Sequence, residues 1–108
     1  MKNFADKVYQ LTKRIPKGKV TSYKEIASAL NTKAYQAVGQ ALRRNPYAPE
    51  VPCHRVVSSN GQIGGFNGKT KGKEIKRKIE LLKSEGVSVT NNKVNLEKYL
   101  VSLKQYNG

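Results

Sequence analysis

The sequence has one cysteine, one histidine and no tryptophan among its 108 residues. A single cysteine excludes a disulfide within the chain, and disulfides are in any case rare in the reducing interior of a cell. One cysteine and one histidine also cannot complete a structural zinc site, which takes four ligands. We therefore expect an intracellular protein without a bound metal.

Long apolar runs are also missing. No segment approaches the roughly 20 apolar residues that a helix needs to span a bilayer, and the stretch Met1–Lys7 lacks the apolar core of a signal peptide. We expect a soluble protein that is neither exported nor bound to a membrane.

Acidic residues are scarce, at 7 against 21 lysines and arginines, so the formal net charge is +14. This excess is larger than solubility requires and predicts a polyanionic partner, most simply a nucleic acid. Charge alone does not distinguish DNA from RNA. The alternative is a lysine-rich surface of the kind found in thermophilic or ribosome-associated proteins.

The length and the even composition predict a single domain spanning residues 1–108, and the patterning predicts a mostly α fold with small β elements. Helical spacing relates the apolar residues of a first segment, which are Phe4, Val8, Leu11 and Ile15. Pro16-Lys17-Gly18 ends that helix. Ser22 and Glu25 have the spacing of a capping box and predict a second helix over residues 23–30.

A third helix is predicted from Ala34 up to Asn45-Pro46, because proline disfavours helical geometry in the residue before it. Two short helices joined by a tight turn are typical of a helix-turn-helix, although an ordinary helical hairpin has the same pattern. The outward positions of the third helix are Tyr35, Gln36, Gly39, Gln40 and Arg43. The helix also has many small side chains, which would allow its backbone to approach a ligand closely.

Asn60-Gly61 predicts a tight hairpin turn between Val56-Val57 and Ile63, since both central residues of that turn need positive φ. A hairpin after a helix-turn-helix is typical of a wing. A basic helix is predicted over residues 71–85, and a small hairpin at Asn91-Asn92 precedes a last helix over residues 96–103.

Cys53 and His54 are adjacent, between a proline-containing loop and a predicted strand. Side chains of neighbouring strand residues point to opposite faces, so His54 could assist Cys53 only through a turn of the backbone or a water molecule. A reactive cysteine needs nearby positive charge or a base, which His54, Arg55 and one carboxylate could provide. Spacing does not say which of the 7 acidic residues is involved, and an isolated cysteine is more often a buried, inert residue.

The chain resembles, over nearly its whole length, the C-terminal domain of the methylated-DNA–protein-cysteine methyltransferases, also called O6-alkylguanine-DNA alkyltransferases. The segments that carry the resemblance are Thr21-Ser22-Tyr23, Ala37-Val38-Gly39 with Arg43, Asn45-Pro46, Val51 before Pro52-Cys53-His54-Arg55-Val56, Gly64, Gly68, and Leu81-Leu82 before Glu85-Gly86.

The resemblance implies a winged helix-turn-helix that binds the minor groove of double-stranded DNA as a monomer and flips the alkylated guanine into a pocket. It implies transfer of the alkyl group to Cys53, irreversibly and without a cofactor or metal. His54 would draw off the thiol proton through water, Glu85 would orient His54, and Asn45 would support the site. Tyr23 would donate a hydrogen bond to N3 of the base.

The resemblance also implies a set of residues that contact DNA or the base, which are Gln36, Ala37, Gly39, Arg43, Arg55, Val56, Phe66, Asn67 and Gly68. Among these, the Val56 carbonyl would accept from the guanine amino group. The chain departs from the family in having Gln36 where an arginine enters the base stack, and Phe66 and Asn67 where a tyrosine and a serine line the pocket. We further expect that the family's N-terminal domain is absent.

Two other functions compete with alkyl transfer. A non-catalytic lesion-binding protein of the alkyltransferase-like class would typically lack the acceptor cysteine, so Cys53 speaks against it. A plain winged-helix regulator would explain the charge and the helices but not the motif around Cys53.

Overall fold

A computed structural model describes residues 3–63 and 72–106. Within them lie five α-helices, which are α1 (Phe4–Thr12), α2 (Tyr23–Ala29), α3 (Tyr35–Arg43), α4 (Lys73–Ser84) and α5 (Leu96–Tyr99). The strands are β1 (Thr21–Ser22), β2 (Val56–Val57), β3 (Val89–Thr90) and β4 (Lys93–Val94), and a short 3-10 helix covers Cys53–Arg55. The mostly α fold with small β elements is therefore confirmed.

The first helix begins with a capping box that the sequence pattern did not reveal to us. The Asn3 side chain accepts from the Asp6 backbone N–H at 2.9 Å, and Asp6 accepts from the Asn3 backbone at 3.4 Å. The helix ends at Thr12, three residues before the predicted Ile15. Residues 13–15 instead form a tighter turn in which the Ile15 N–H donates to the Thr12 carbonyl, as expected for a residue that precedes proline.

The second and third helices pack with α1 around the first part of the core. Ser22 accepts from the Glu25 N–H at 3.1 Å and so caps α2, which is one of the two bonds of the predicted capping box. Ile26 of α2 and Val38 of α3 are fully buried in this cluster. The opposite side of α3 is exposed and presents the side chains of Tyr35, Gln36, Ala37, Gln40 and Arg43.

A parallel pairing of β1 with β2 joins two distant parts of the chain. Thr21 pairs with Val56, and Ser22 pairs with Val57. Tyr23 is the first residue of α2 and follows β1 directly, while the 3-10 helix with Cys53 precedes β2 directly. The pairing therefore brings the start of α2 next to the segment that carries the cysteine.

A turn forms at Asn60-Gly61, but Gly61 has positive φ and Asn60 does not, so the predicted turn type was wrong. The predicted pairing of its two arms was also wrong beyond the turn. The Ser58 N–H donates to the Gln62 carbonyl at 2.9 Å, and Gly61 has a φ of +88°. The chain then pairs with the segment around β4, where Ile63 N–H donates to the Asn92 carbonyl and Val94 N–H donates to the Gly61 carbonyl. The β3–β4 hairpin predicted at Asn91-Asn92 provides this partner and so displaces β2.

The last helix is shorter than predicted, because the chain leaves it at Leu100 to pair with β1. Val101 N–H donates to the Val20 carbonyl at 2.8 Å, and the Thr21 hydroxyl donates to the Val101 carbonyl at 2.9 Å. These bonds cover the free edge of β1. In residues 3–63 and 72–106, no helix combines the length and the apolar character needed to cross a membrane.

Candidate active site

Cys53 lies in the 3-10 helix and not at the start of a strand. Its N–H donates to the Val51 carbonyl at 2.8 Å, and the Arg55 N–H donates to the Pro52 carbonyl at 2.9 Å, so the backbone turns at this point. The cysteine is free and 8% exposed. This turn meets the geometric condition under which adjacent cysteine and histidine residues can act together.

Glu85, the residue that follows α4, contacts the two residues after Cys53. Its Oε2 lies 3.1 Å from His54 Nε2 and 2.7 Å from an Arg55 guanidinium nitrogen, and its Oε1 accepts from Arg55 Nε at 2.9 Å. Arg55 also donates to the Ile15 carbonyl at 2.9 Å, which ties the pair to the end of α1. The structure thus brings together His54, Arg55 and one carboxylate, and that carboxylate is Glu85.

The environment sets the charge states of this cluster. Burial alone would raise the pKa of Glu85, but hydrogen bonds from Arg55 and His54 outweigh burial and lower the pKa below its usual value. Burial lowers the pKa of His54, in spite of the opposing effect of Glu85. At neutral pH Glu85 is therefore an acceptor, His54 is neutral, and His54 Nε2 carries the hydrogen that is donated to it. The lone pair of Nδ1 is left to take up a proton.

Asn45 holds the loop that precedes the cysteine. Its side-chain Nδ2 donates to the Val51 carbonyl at 2.8 Å, and its Oδ1 accepts from the backbone N–H two residues further on at 2.9 Å. Val51 also accepts from the backbone of Cys53. Asn45 therefore has the contacts of a residue that supports the loop.

Lys78, on the inner side of α4, was missed by sequence reasoning, which counted it as part of a basic helix. Its ammonium group is fully buried and donates to the Val56 carbonyl at 2.8 Å and the Ile63 carbonyl at 2.5 Å. Burial lowers its pKa to about 8, while a thiolate at Cys53 would favour its charged form. The available signal was its spacing of three and four residues from the apolar Ile75 and Leu82.

The Val56 carbonyl, expected to accept from a guanine amino group, already accepts from Lys78. A carbonyl oxygen has two lone pairs, so a second donor is compatible with this bond. The Tyr23 hydroxyl is the group expected to donate to the base. Burial, and secondarily a negative charge at Cys53, raises the pKa of the Tyr23 hydroxyl and keeps it protonated.

The expected DNA-contacting residues of α3 form a separate surface. Gln36, Ala37 and Arg43 are exposed, and Gly39 is half-buried, with no described residue outside its own helix within 4 Å of where a Cβ would lie. Phe66, Asn67 and Gly68 lie outside the described residues. Among the residues that the structure does describe, no three histidine, cysteine or acidic side chains are grouped as metal ligands.

The sequence and the fold of this chain are similar to those of known proteins. Residues 3–87 match the family described as "6-O-methylguanine DNA methyltransferase, DNA binding domain". A methylated-DNA–protein-cysteine methyltransferase of Sulfolobus acidocaldarius is 45% identical over 87 residues, which are 81% of this chain and 52% of that protein. The chain thus spans about half the length of this relative.

Two solved structures share the fold. S. pombe Atl1, in complex with damaged DNA containing O6-carboxymethylguanine, aligns with a TM-score of 0.76 at 32% identity, covering 94% of this chain and 99% of that one. The O6-methylguanine-DNA methyltransferase of Pyrococcus kodakaraensis aligns with a TM-score of 0.66 at 45% identity, covering 81% of this chain and 48% of that one.

Proposed function

Since this chain belongs to the 6-O-methylguanine DNA methyltransferase family, we propose that it repairs DNA by moving an alkyl group from O6 of guanine to Cys53 Sγ. The contact of Glu85 with His54, directly beside the cysteine in one turn of 3-10 helix, is the observation that carries this proposal. A neutral histidine oriented by a carboxylate is the arrangement that activates a nucleophile.

The reaction is a displacement at the alkyl carbon. His54 Nδ1 takes the thiol proton through a water molecule, the Cys53 sulfur forms a bond to the carbon, and the bond from carbon to O6 breaks. The electron pair of that bond leaves with the guanine. Because the thioether that forms is stable, each molecule would act once.

Tyr23 would assist the departure of the base. A hydroxyl that donates to N3 stabilises the charge that develops on the guanine, and it can donate only while it is protonated. The raised pKa of Tyr23 supports this role. Lys78, buried and donating to the Val56 carbonyl, would hold the strand that follows the cysteine in place.

We propose that the partner is double-stranded DNA, bound in the minor groove by a monomer through the exposed side of α3. The net charge of +14 and the exposed Gln36, Ala37 and Arg43 support this. A repair reaction on DNA would take place inside the cell. Reaching O6 requires that the guanine leave the base stack.

The experiment is intact mass spectrometry after incubation with DNA that contains O6-methylguanine. We expect the gain of one methyl group per chain, located on Cys53, and no gain with undamaged DNA. Cys53→Ser is the matched control, which should take up no methyl group but still bind DNA. Turnover beyond one equivalent, or a methyl group on another residue, would contradict the mechanism.

Binding of damaged DNA without transfer is the second candidate, favoured by the similarity to S. pombe Atl1 over almost all of that protein. The same experiment separates the two. A protein that prefers DNA with O6-methylguanine but gains no mass would be a lesion-binding protein.

A further inference from the structure

Two tyrosines are the large hydrophobic side chains that the described part of the chain leaves exposed. Tyr35 is 44% exposed and Tyr47 is 53% exposed. Tyr47 packs edge-on against Tyr9, with ring centroids 5.7 Å apart and planes at 79°. Tyr35 lies elsewhere, at the first position of α3.

Tyr35 lines a cavity of about 400 Å³ with four other described residues, which are Tyr23, Lys24, Ser58 and Ser59. The start of α2 contributes Tyr23 and Lys24, the start of α3 contributes Tyr35, and the turn after β2 contributes the serines. The volume lies within the range of pockets that bind small molecules. Two aromatic rings from different helices thus border a single open space.

The chemistry of this lining suits one unpaired nucleotide. Aromatic rings stack on base faces, serine hydroxyls can donate to or accept from base edges, and the ammonium group of Lys24 can pair with a phosphate. Tyr23 is also the residue that we propose donates a hydrogen bond to N3 of the base. A nucleotide on its way to Cys53 would therefore pass along Tyr35.

We propose that Tyr35 stacks on the extruded nucleotide and stabilises it outside the duplex, an inference that rests on the proposed function. Gln36 follows Tyr35 but is not among the described residues that line the cavity, and adjacent side chains on a helix do not face the same way. Glutamine also lacks the charge that an arginine would bring. Tyr35 therefore adds affinity for the extruded nucleotide inside the cavity, a contribution that Gln36 does not make.

The test is binding in a Cys53→Ser background, where no transfer interferes. Dissociation constants are measured by fluorescence anisotropy for a single strand and a duplex, each with either guanine or O6-methylguanine at one position. The variants are Tyr35→Ala, Tyr35→Phe, which keeps the ring, and Tyr47→Ala, an equally exposed tyrosine outside the cavity. Circular dichroism confirms that each variant is folded.

We expect Tyr35→Ala to weaken binding of the damaged single strand and the damaged duplex alike, by roughly 5- to 150-fold, the range for stacking of one base on an aromatic side chain. Tyr35→Phe and Tyr47→Ala should keep the parent affinities. An unchanged affinity of Tyr35→Ala overturns the proposal. A loss of affinity confined to the duplex also overturns the proposal, because Tyr35 would then fill the gap in the base stack. An equal loss of affinity for undamaged DNA overturns it too, because Tyr35 would then be a general DNA contact.

The outcome is independent of catalysis. If the parent chain gains no methyl group, yet Tyr35→Ala loses affinity for the damaged strand, alkyl transfer fails and the stacking role of Tyr35 stands. If the parent chain gains the methyl group and Tyr35→Ala binds as before, alkyl transfer stands and the stacking role of Tyr35 fails.

Discussion

Glu85 accepts hydrogen bonds from two side chains, and this determines what His54 can do. Arg55 approaches it through two nitrogens and holds the carboxylate in one orientation, so that one oxygen faces His54 Nε2. With that hydrogen donated to Glu85, the basic nitrogen of His54 is Nδ1. The arrangement selects one tautomer of a neutral imidazole, as a general base requires.

The lowered pKa of His54 makes stability depend on pH. Between its folded pKa and the unfolded value of 6.5, the unfolded chain binds more protons than the folded chain. Stability should therefore be fully present above pH 6.5 and should decline as the pH falls toward the folded pKa. Thermal melts between pH 5 and 7 would measure this decline.

In those melts His54→Gln should show a flatter profile than the parent, since glutamine does not titrate. Lys17→Gln, an exposed substitution, should keep the parent profile. A parent whose melting temperature rises as the pH falls below 6.5 would contradict the assignment of a neutral, buried His54.

A buried ammonium group, that of Lys78, anchors helix α4 to β2, the strand that follows Cys53. Lys78 of α4 bonds to the carbonyls of Val56 and Ile63, one on each side of the Asn60-Gly61 turn. Burying an ammonium group is unfavourable, and the lowered pKa of about 8 expresses that cost. In return, two buried carbonyls are satisfied.

Lys78 predicts a second pH dependence, which lies at alkaline pH, whereas that of His54 lies below pH 6.5. From about pH 8 to 10.5, the unfolded chain holds the proton that the folded chain has released, so stability should rise by about 3 kcal/mol from this group. Denaturant unfolding of the parent, Lys78→Met and the exposed control Lys76→Met should show that only Lys78→Met loses the rise. Equal profiles for the two variants would contradict it.

Gly39 in α3 links helix stability to function. Among the described residues, an alanine Cβ there would meet nothing within 4 Å besides the backbone of its own helix, so Gly39→Ala should stabilise the protein by about 0.5–1 kcal/mol through helix propensity. If α3 meets DNA at close range, the added methyl group should weaken binding. Ser28→Ala, at an exposed position of α2, is the control.

Melting temperature and DNA affinity would be measured on the same preparations. The expected result is that Gly39→Ala moves the two in opposite directions, while Ser28→Ala leaves affinity unchanged. Undiminished affinity in Gly39→Ala would show that DNA does not approach the backbone of α3.

The helices could be predicted from the sequence because their signals are local. Periodic apolar residues, the Ser22 cap and the Pro16 and Pro46 breaks each act within a few positions, and the resulting bounds differ from the structure by up to three residues for α1 to α4. The pairing of β1 with β2 has no such signal, since two-residue strands carry no alternation. Residues 100–103 were assigned to a helix because nothing local reveals that β1 needs a partner there.

The candidate site likewise has residues that the sequence identifies and residues that it does not. Cys53 and His54 were identifiable as neighbours, and a need for a carboxylate followed from chemistry, but Glu85 lies 31 residues from His54. Spacing could not select it among the acidic residues, and only the resemblance did. Lys78 was missed because the sequence shows that this residue is charged but does not show that it is buried. The roles of Cys53, His54 and Glu85 stay predictions, as do those of Tyr23, Asn45 and the α3 residues.

The charge of the whole molecule predicts how it meets DNA. A chain with a net charge of +14 should release counterions from the phosphates, so affinity should fall steeply with salt and depend little on the undamaged sequence. Arg43→Gln should reduce the slope of log K against log salt by about 0.9, the effect of one phosphate contact. Lys98→Gln on α5 should leave the slope unchanged.

Titrations at several salt concentrations, with two unrelated duplexes, would measure both effects. A flat dependence on salt would contradict the electrostatic account. A strong preference for one undamaged duplex would instead favour a sequence-specific regulator.

The bond from the Thr21 hydroxyl to the Val101 carbonyl closes a loop of 80 residues, and this has a consequence for how the protein is made. At 5–20 residues per second, a ribosome needs roughly 4 to 16 seconds to add the partner of Thr21. During that time the edge of β1 and the buried cluster that includes Val20, Val57 and Tyr99 stay open to the surroundings. Folding on the ribosome can complete α1 to α3 early, but a nascent chain must be kept from aggregating until residues 100–101 have left the exit tunnel.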